Sequence, residues 1–115
     1  MAERAVPLDR VFQALADPTR RAVVERLTRG AAPVSELARP FAMALSSFSQ
    51  HLDVLQGAGL VRSRKAGRVR TYELAPDALG AAERWMAHQR AVWERRLDQL
   101  DSYITTLTDQ ERPPR

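Results

Sequence analysis

Five of the nine residues from Arg62 to Arg70 are basic, namely Arg62, Arg64, Lys65, Arg68 and Arg70, and none is acidic. The whole chain carries a net charge of +4, so the residues outside this run sum to −1. A cluster of fixed positive charge confined to one short segment is the electrostatic footprint expected for a phosphate-bearing partner. Just upstream, Ser46, Ser47, Ser49, Gln50 and His51 form a second polar group. These side chains are short or planar, hydrogen-bond well and carry no negative charge. They approach phosphates and base edges without repulsion, and glutamine has the geometry for a bidentate pair with adenine. Serine contacts discriminate less. Taken singly, each group also fits an ordinary solvated surface. Their adjacency is what points to nucleic acid.

Other chemistries lack their residues. The 115-residue chain has no cysteine, which excludes disulfides, thiolate metal sites and thiol redox sensing. Its two histidines, His51 and His88, are too few for a histidine-rich metal site. No nucleophile–base–acid arrangement or phosphate-cradling glycine loop is visible, so an enzyme is not expected, and neither is a cofactor. No apolar run approaches the ~18 residues of a membrane span, and no signal-like N-terminal segment is seen. The expectation is a cytoplasmic protein without a membrane partner.

The elements that must position these groups follow from periodicity. Leu8, Val11, Phe12 and Leu15 suit a short first helix. Asp17-Pro18 reads as an N-cap followed by proline at the first helical position, opening a helix to about Arg29 that buries Ala22, Val23 and Leu27. Arg20 and Arg21 are expected on its wetter faces, and Asp17-Pro18-Thr19-Arg20 is read as structural. Ser35 is expected to cap a short third helix limited by Pro40. A turn over 41–44 leads to a fourth helix, about Leu45 to Gln56, with apolar positions Leu45, Phe48, Leu52 and Leu55, ended by Gly57 and Gly59.

Two strand-like runs, 60–64 and 68–74, then flank a turn with Gly67 and predict a hairpin whose tip is basic and whose base is anchored by Val61, Tyr72 and Leu74. Pro76-Asp77 is expected to open a last helix reaching about Thr108. On it Met86, Trp93, Leu97, Leu100, Ile104 and Leu107 are spaced 7, 4, 3, 4 and 3, with Arg90 the misfit. That is a coiled-coil seam, and it needs a partner. Trp85 and Trp93 are read as packing residues.

The expected fold is therefore mainly α with a small β-hairpin: a winged helix-turn-helix with a long C-terminal dimerisation helix. A single domain over 1–115 is expected, with a DNA-binding core at 8–75, the long helix at 76–108 and a tail at 109–115. The fourth helix would read double-stranded DNA. In the hairpin, Arg68 is the best placed for a narrow minor groove, while Arg64, Lys65 and Arg70 suit phosphates. His51 is expected to touch a phosphate. The alternative is a protein-interaction module that dimerises through its last helix without specific DNA binding.

Several segments carry a family resemblance: Leu15-Ala16-Asp17-Pro18-Thr19-Arg20-Arg21, Ser49-Gln50-His51-Leu52-Asp53-Val54-Leu55, Gly59-Leu60-Val61 and Gly67-Arg68-Val69-Arg70-Thr71-Tyr72. Over about Leu8 to Leu107 the chain resembles the ArsR-type winged-helix repressors. The run Trp93-Glu94-Arg95-Arg96-Leu97-Asp98-Gln99-Leu100 looks like a branch often encoded beside START-like lipid-binding-fold proteins. The resemblance implies a homodimer built from the first and last helices, so Leu8, Val11 and Phe12 join the seam residues as expected interface. It also implies a fourth helix in the major groove and repression through operator binding. Two departures matter. The family's metal sensors carry cysteines in the helix matching Ser35 to Ala42, or paired histidines and carboxylates on the last helix. Here there is no cysteine, and His88 stands alone with Glu94, Asp98 and Asp101 nearby in sequence. No metal site is expected. Ala44 occupies a position where relatives often have a serine N-cap, which leaves Ser46 as the alternative cap.

Overall fold

The computed structural model describes residues 7–111. In chain order it contains α1 (Leu8–Leu15), α2 (Pro18–Leu27), β1 (Ala32–Pro33), α3 (Val34–Ala38), α4 (Leu45–Gly57), β2 (Val61–Ala66), β3 (Val69–Leu74) and α5 (Gly80–Gln110). The chain divides into two compact units, Met1–Ala82 and Glu83–Arg115. The first unit reaches Ala82, which is buried in its core.

Local chemistry sets the helix ends. The Asp17 carboxylate accepts the Arg20 N–H at 3.0 Å and Pro18 follows at the first helical position, as an N-cap requires. Helix α2 stops at Leu27, two residues before the expected Arg29. The amides of Arg29 and Gly30 bond three residues back, to Arg26 and Leu27, which tightens the chain out of the α-helix. Helix α3 begins at Val34 behind Pro33, with no side-chain cap, so Ser35 lies inside it and is not its N-cap. Helix α4 likewise has Ala44 at its N-cap without a side-chain hydrogen bond, and Ser46 does not substitute. Its other end is closed by a Schellman motif. Gly59 takes φ +74°, its amide bonds Gln56 O, and the Leu60 amide bonds Leu55 O, each at 3.0 Å. The motif's hydrophobic contact positions, Leu55 and Leu60, are both fully buried.

The sheet is antiparallel with order β1-β3-β2. Pairing of Val61 with Leu74, Ser63 with Tyr72 and Lys65 with Arg70 puts these six on one face, since side chains alternate along a strand. Val61 and Tyr72 are buried and Leu74 packs partly on the core, so the base of the hairpin is anchored as expected. Ala66 faces Val69, leaving Gly67-Arg68 as a two-residue turn. Gly67 has φ +62° and Arg68, like every other described non-glycine residue, does not have positive φ, which is the type II′ pattern. Strand β1, pairing Ala32 with Tyr72 and Pro33 with Thr71, is an addition to the expected hairpin. Two residues carry no readable periodicity, and proline is tolerated there because the strand is an edge.

Phe48, Leu52, Leu55, Leu60 and Val23 are the largest fully buried side chains, joined by Val11, Ala14, Val24, Leu27, Leu37 and the sheet residues. Phe41 stacks on Phe48 with ring centroids 5.4 Å apart, which ties the turn before α4 to the core. Val11, expected at a dimer interface, is only 3% exposed and belongs to this core. Leu8 and Phe12 are half-buried against it.

Helix α5 begins at Gly80 instead of at Pro76, because residues 76–79 form turns. Its 31 residues correspond to about 46 Å. Met86, Trp93, Leu97, Leu100, Ile104 and Leu107 are all exposed, as are Trp85 and Tyr103. Arg90, the misfit in the seam, approaches the Glu94 carboxylate one turn on, at 4.0 Å. Of the expected tail, Asp109 and Gln110 are helical, Glu111 is in a turn, and 112–115 lie outside the described residues. Among the described residues no helix is long and apolar enough to cross a membrane.

Candidate nucleic-acid interface

Helix α4 sorts its residues by face. Phe48, Leu52 and Leu55 are sealed into the core, while Ser46, Ser47 and Gln50 are exposed and Ser49 and His51 half-buried. Ser46 and Gln50 are one turn apart and, at 3.6 residues per turn, project away from the buried stripe. Leu45 departs from its expected core position and is 60% exposed. It precedes the first turn that the core covers.

His51 is held from behind. Arg20 Nη1 lies 3.1 Å from His51 Nδ1, and the Asp17 carboxylate lies 3.9 Å from the same nitrogen. A guanidinium only donates, so Nδ1 can accept from it in the neutral imidazole, whereas in the protonated ring Nδ1 turns to the Asp17 carboxylate. Arg20 also donates from Nε to Ala14 O at 2.8 Å and from Nη2 to Gln13 O at 3.1 Å, and Arg21 donates to Leu15 O at 2.8 Å. Ala14 O and Leu15 O are carbonyls of the last turn of α1, which a helix end leaves without backbone partners, while Gln13 O also accepts the Ala16 N–H at 3.2 Å. The two arginines expected on the wet side of α2 therefore close α1. Arg20 additionally joins α1, α2 and α4 in one clamp. The Asp17 carboxyl is held below its ordinary value chiefly by the Arg20 backbone N–H; burial opposes this, and the charges of His51 and Arg20 add to it. Nothing in the composition singles out Arg20, because its acceptors are backbone carbonyls. The reading of Asp17-Pro18-Thr19-Arg20 as structural agrees with this geometry.

The hairpin's five cations are not equivalent. Arg62 is paired with Glu73, directly opposite in the ladder, at 2.7 Å. Arg70 donates to Ser63 Oγ at 2.9 Å, and Ser63 donates to Gln56 Oε1 at 3.0 Å, so a chain of hydrogen bonds runs from the hairpin to the last turn of α4. Among the described residues, Arg64, Lys65 and Arg68 make no ion pair or side-chain hydrogen bond, and all three are exposed. The start of α4 and the hairpin tip border one hollow of about 280 Å³, lined by Val34, Ser35, Leu45, Arg68, Val69 and Arg70 among others. Leu45, the residue just before the α4 serines, thus lies beside the hairpin tip. Among the described residues no three His, Asp or Glu side chains converge so as to hold a metal ion.

Two helices joined through a turn, the second with an exposed polar face, followed by a basic hairpin, define a winged helix-turn-helix DNA-binding protein. Residues 15–64 match the family described as a helix-turn-helix domain. The chain is 53% identical over 73 residues to the HTH-type transcriptional regulator Rv2034 of Mycobacterium tuberculosis, a match covering 64% of this chain and 68% of that protein. It is 30% identical over 79 residues to the transcriptional repressor SdpR of Bacillus subtilis, covering 69% and 88% respectively. Among solved structures, the ArsR family transcriptional regulator RHA00566 superposes with a TM-score of 0.73 at 54% identity, over 76% of this chain and 96% of that one. A homodimeric winged helix-turn-helix DNA-binding domain from Mycobacterium bovis superposes with a TM-score of 0.58 at 28% identity, over 80% and 82%. The chain belongs to the ArsR family of winged helix-turn-helix regulators, and it is a DNA-binding transcriptional regulator.

Proposed function

We propose that this regulator is a homodimeric repressor acting in the cytoplasm on a near-palindromic operator. Each protomer inserts α4 into the major groove, where Ser46, Ser47, Ser49 and Gln50 meet base edges and phosphates. Arg64 and Lys65 bind phosphates and Arg68 enters the adjacent minor groove. Arg70 serves both as a phosphate contact and as the link that holds the hairpin to α4. His51 acts from the flank of α4 through Nε2, the ring nitrogen that Arg20 does not meet. The observation that carries this reading is the meeting of the uncapped start of α4, at Leu45 just before its serines, with a hairpin tip whose cations Arg64, Lys65 and Arg68 have no partner among the described residues.

The dimer seam is Met86, Trp93, Leu97, Leu100, Ile104 and Leu107 on α5, with Leu8 and Phe12 of α1 adding to it. Six large apolar side chains left in water at heptad spacing favour a second copy of the same helix. In this reading the core at 8–75 does the binding and α5 does the pairing. No catalysis, cofactor or metal takes part. The M. bovis homodimer and the named repressor SdpR lend support as relatives.

The test is a salt titration of binding to random duplex DNA, followed by sequencing of genomic DNA crosslinked to the protein. A steep negative dependence of affinity on salt and a recovered two-fold-related motif are expected. A flat salt dependence would point to a protein-interaction module and end the proposal.

A further inference from the structure

Leu45 is the first residue of α4 and stands 60% exposed, although its spacing from Phe48 and Leu52 predicts burial. Val69, the first residue of β3, is 52% exposed and borders the same hollow. Leaving both in water forgoes hydrophobic burial within the protomer. The surroundings identify what covers them. Arg68 and Arg70 line the hollow, and Lys65 faces Arg70 across the ladder. The next residues of α4 are Ser46 and Ser47, both exposed. The apolar spot therefore lies inside a cationic, hydrogen-bonding surface, continuous with the DNA-binding face.

A recognition helix meets base edges mainly through its N-terminal residues, and Leu45 stands at that end. The major groove offers one apolar group, the C5-methyl of thymine. We propose that Leu45 receives a thymine C5-methyl in the major groove and is a specificity-determining residue, with Val69 packing beside it against the intervening sugar-phosphate backbone. The proposal rests on α4 being the recognition helix. Gln50, a turn and a half further along α4, reads hydrogen-bonding groups, whereas Leu45 reads a methyl. The two residues thereby sense separate positions of each half-site.

The experiment uses the full chain and duplexes selected from a random library. In the selected duplex each thymine is replaced singly by deoxyuridine, which removes only the C5-methyl. At one thymine per half-site, wild-type affinity is expected to fall about fourfold, the worth of one buried methyl group. Leu45→Ala should bind the thymine and uracil duplexes equally, and Leu45→Met should keep most of the discrimination. Thermal unfolding of Leu45→Ala should match wild type, because the side chain is exposed. Equal wild-type affinity for every uracil duplex, or full discrimination retained by Leu45→Ala, overturns the proposal. If a motif is selected and Gln50→Ala changes it while thymine methyls do not matter, the Leu45 assignment alone falls. If wild type selects no motif, the recognition-helix reading falls with it.

Discussion

The Arg20 guanidinium lies 3.1 Å from His51 Nδ1, and through that contact the corner between α1 and α2 is coupled to the helix proposed to read DNA. The same guanidinium closes two carbonyls of α1, so one side chain serves three helices. Arg20→Ala should leave Ala14 O without its partner, although Gln13 O keeps the Ala16 N–H, and lower stability by ~2 kcal/mol, the scale for hydrogen bonds to a charged group. Arg20→Lys should recover only part of it, because an ammonium lacks the planar fork that spans several acceptors. Urea unfolding of the three proteins checks this. Equal stability of Arg20→Ala and wild type would show that the clamp contributes nothing.

Acid should weaken the same corner. The Asp17 carboxyl is lowered in the folded chain, mainly by the Arg20 N–H. A depressed carboxyl stabilises the fold above its unfolded value, near 3.9, and loses that contribution as pH falls through the lowered folded value. Asp17→Ala should be less stable than wild type at pH 7, and the gap should narrow as pH drops below about 4. Asp17→Asn keeps a capping oxygen and should lose less. Thermal unfolding across pH is the measurement, and a gap that widens with acid contradicts the assignment.

Glutamates in the α5 seam should abolish pairing. Leu97 and Leu100 are 45% and 54% exposed in one protomer. Leu97→Glu with Leu100→Glu places charges where a partner helix would bury them, at a desolvation cost that nothing in the seam offsets. Sedimentation should report two chains for wild type at micromolar concentration and one for the double variant. A wild-type mass of one chain would refute the dimer.

On DNA the variants should separate by role. Gln50→Ala should relax preference at one position per half-site, by roughly 1–3 kcal/mol. Lys65→Ala should weaken all sequences about equally and flatten the salt slope by roughly one unit for each phosphate left without its cation. Arg68→Ala should hurt A·T-rich flanks most if it enters a narrow minor groove. Arg70→Ala should weaken all sequences too, and because Arg70 is tied through Ser63 to Gln56, it should also blur the spacing between the positions sensed by helix and hairpin. Binding-site selection and salt titration on the four variants test this. An unchanged motif for Gln50→Ala with a rewritten one for a hairpin variant would move the recognition element to the hairpin.

Metal should leave the protein unchanged. The chain has no cysteine, and His88 is its only histidine outside α4. Zinc and cobalt are expected to bind without defined stoichiometry and to leave operator affinity as it was. Tight stoichiometric binding that disappears in His88→Ala would contradict this.

What the chain's sequence determined by itself is the set of elements with strong local signals. The stripe Phe48, Leu52, Leu55 declares α4, Gly59 declares its end, and Gly67 between two alternating runs declares the hairpin. Periodicity and positive-φ glycine are properties of neighbouring residues, so they can be read without a fold. The concentration of charge from Arg62 to Arg70 was equally legible, as was the heptad on α5. Tertiary structure alone decided how those residues are used. Arg62 is neutralised because β-pairing sets Glu73 opposite it, while Arg64, Lys65 and Arg68 find no partner among the described residues. Val11 is buried and Leu45 exposed, although each sits at helical spacing from core residues, because spacing gives a face and only the packed neighbours say what covers it. Arg20 reaches backbone carbonyls of another helix, and β1 pairs with a strand some forty residues away. Contacts of that kind depend on where remote segments meet, and no local pattern of side chains records them.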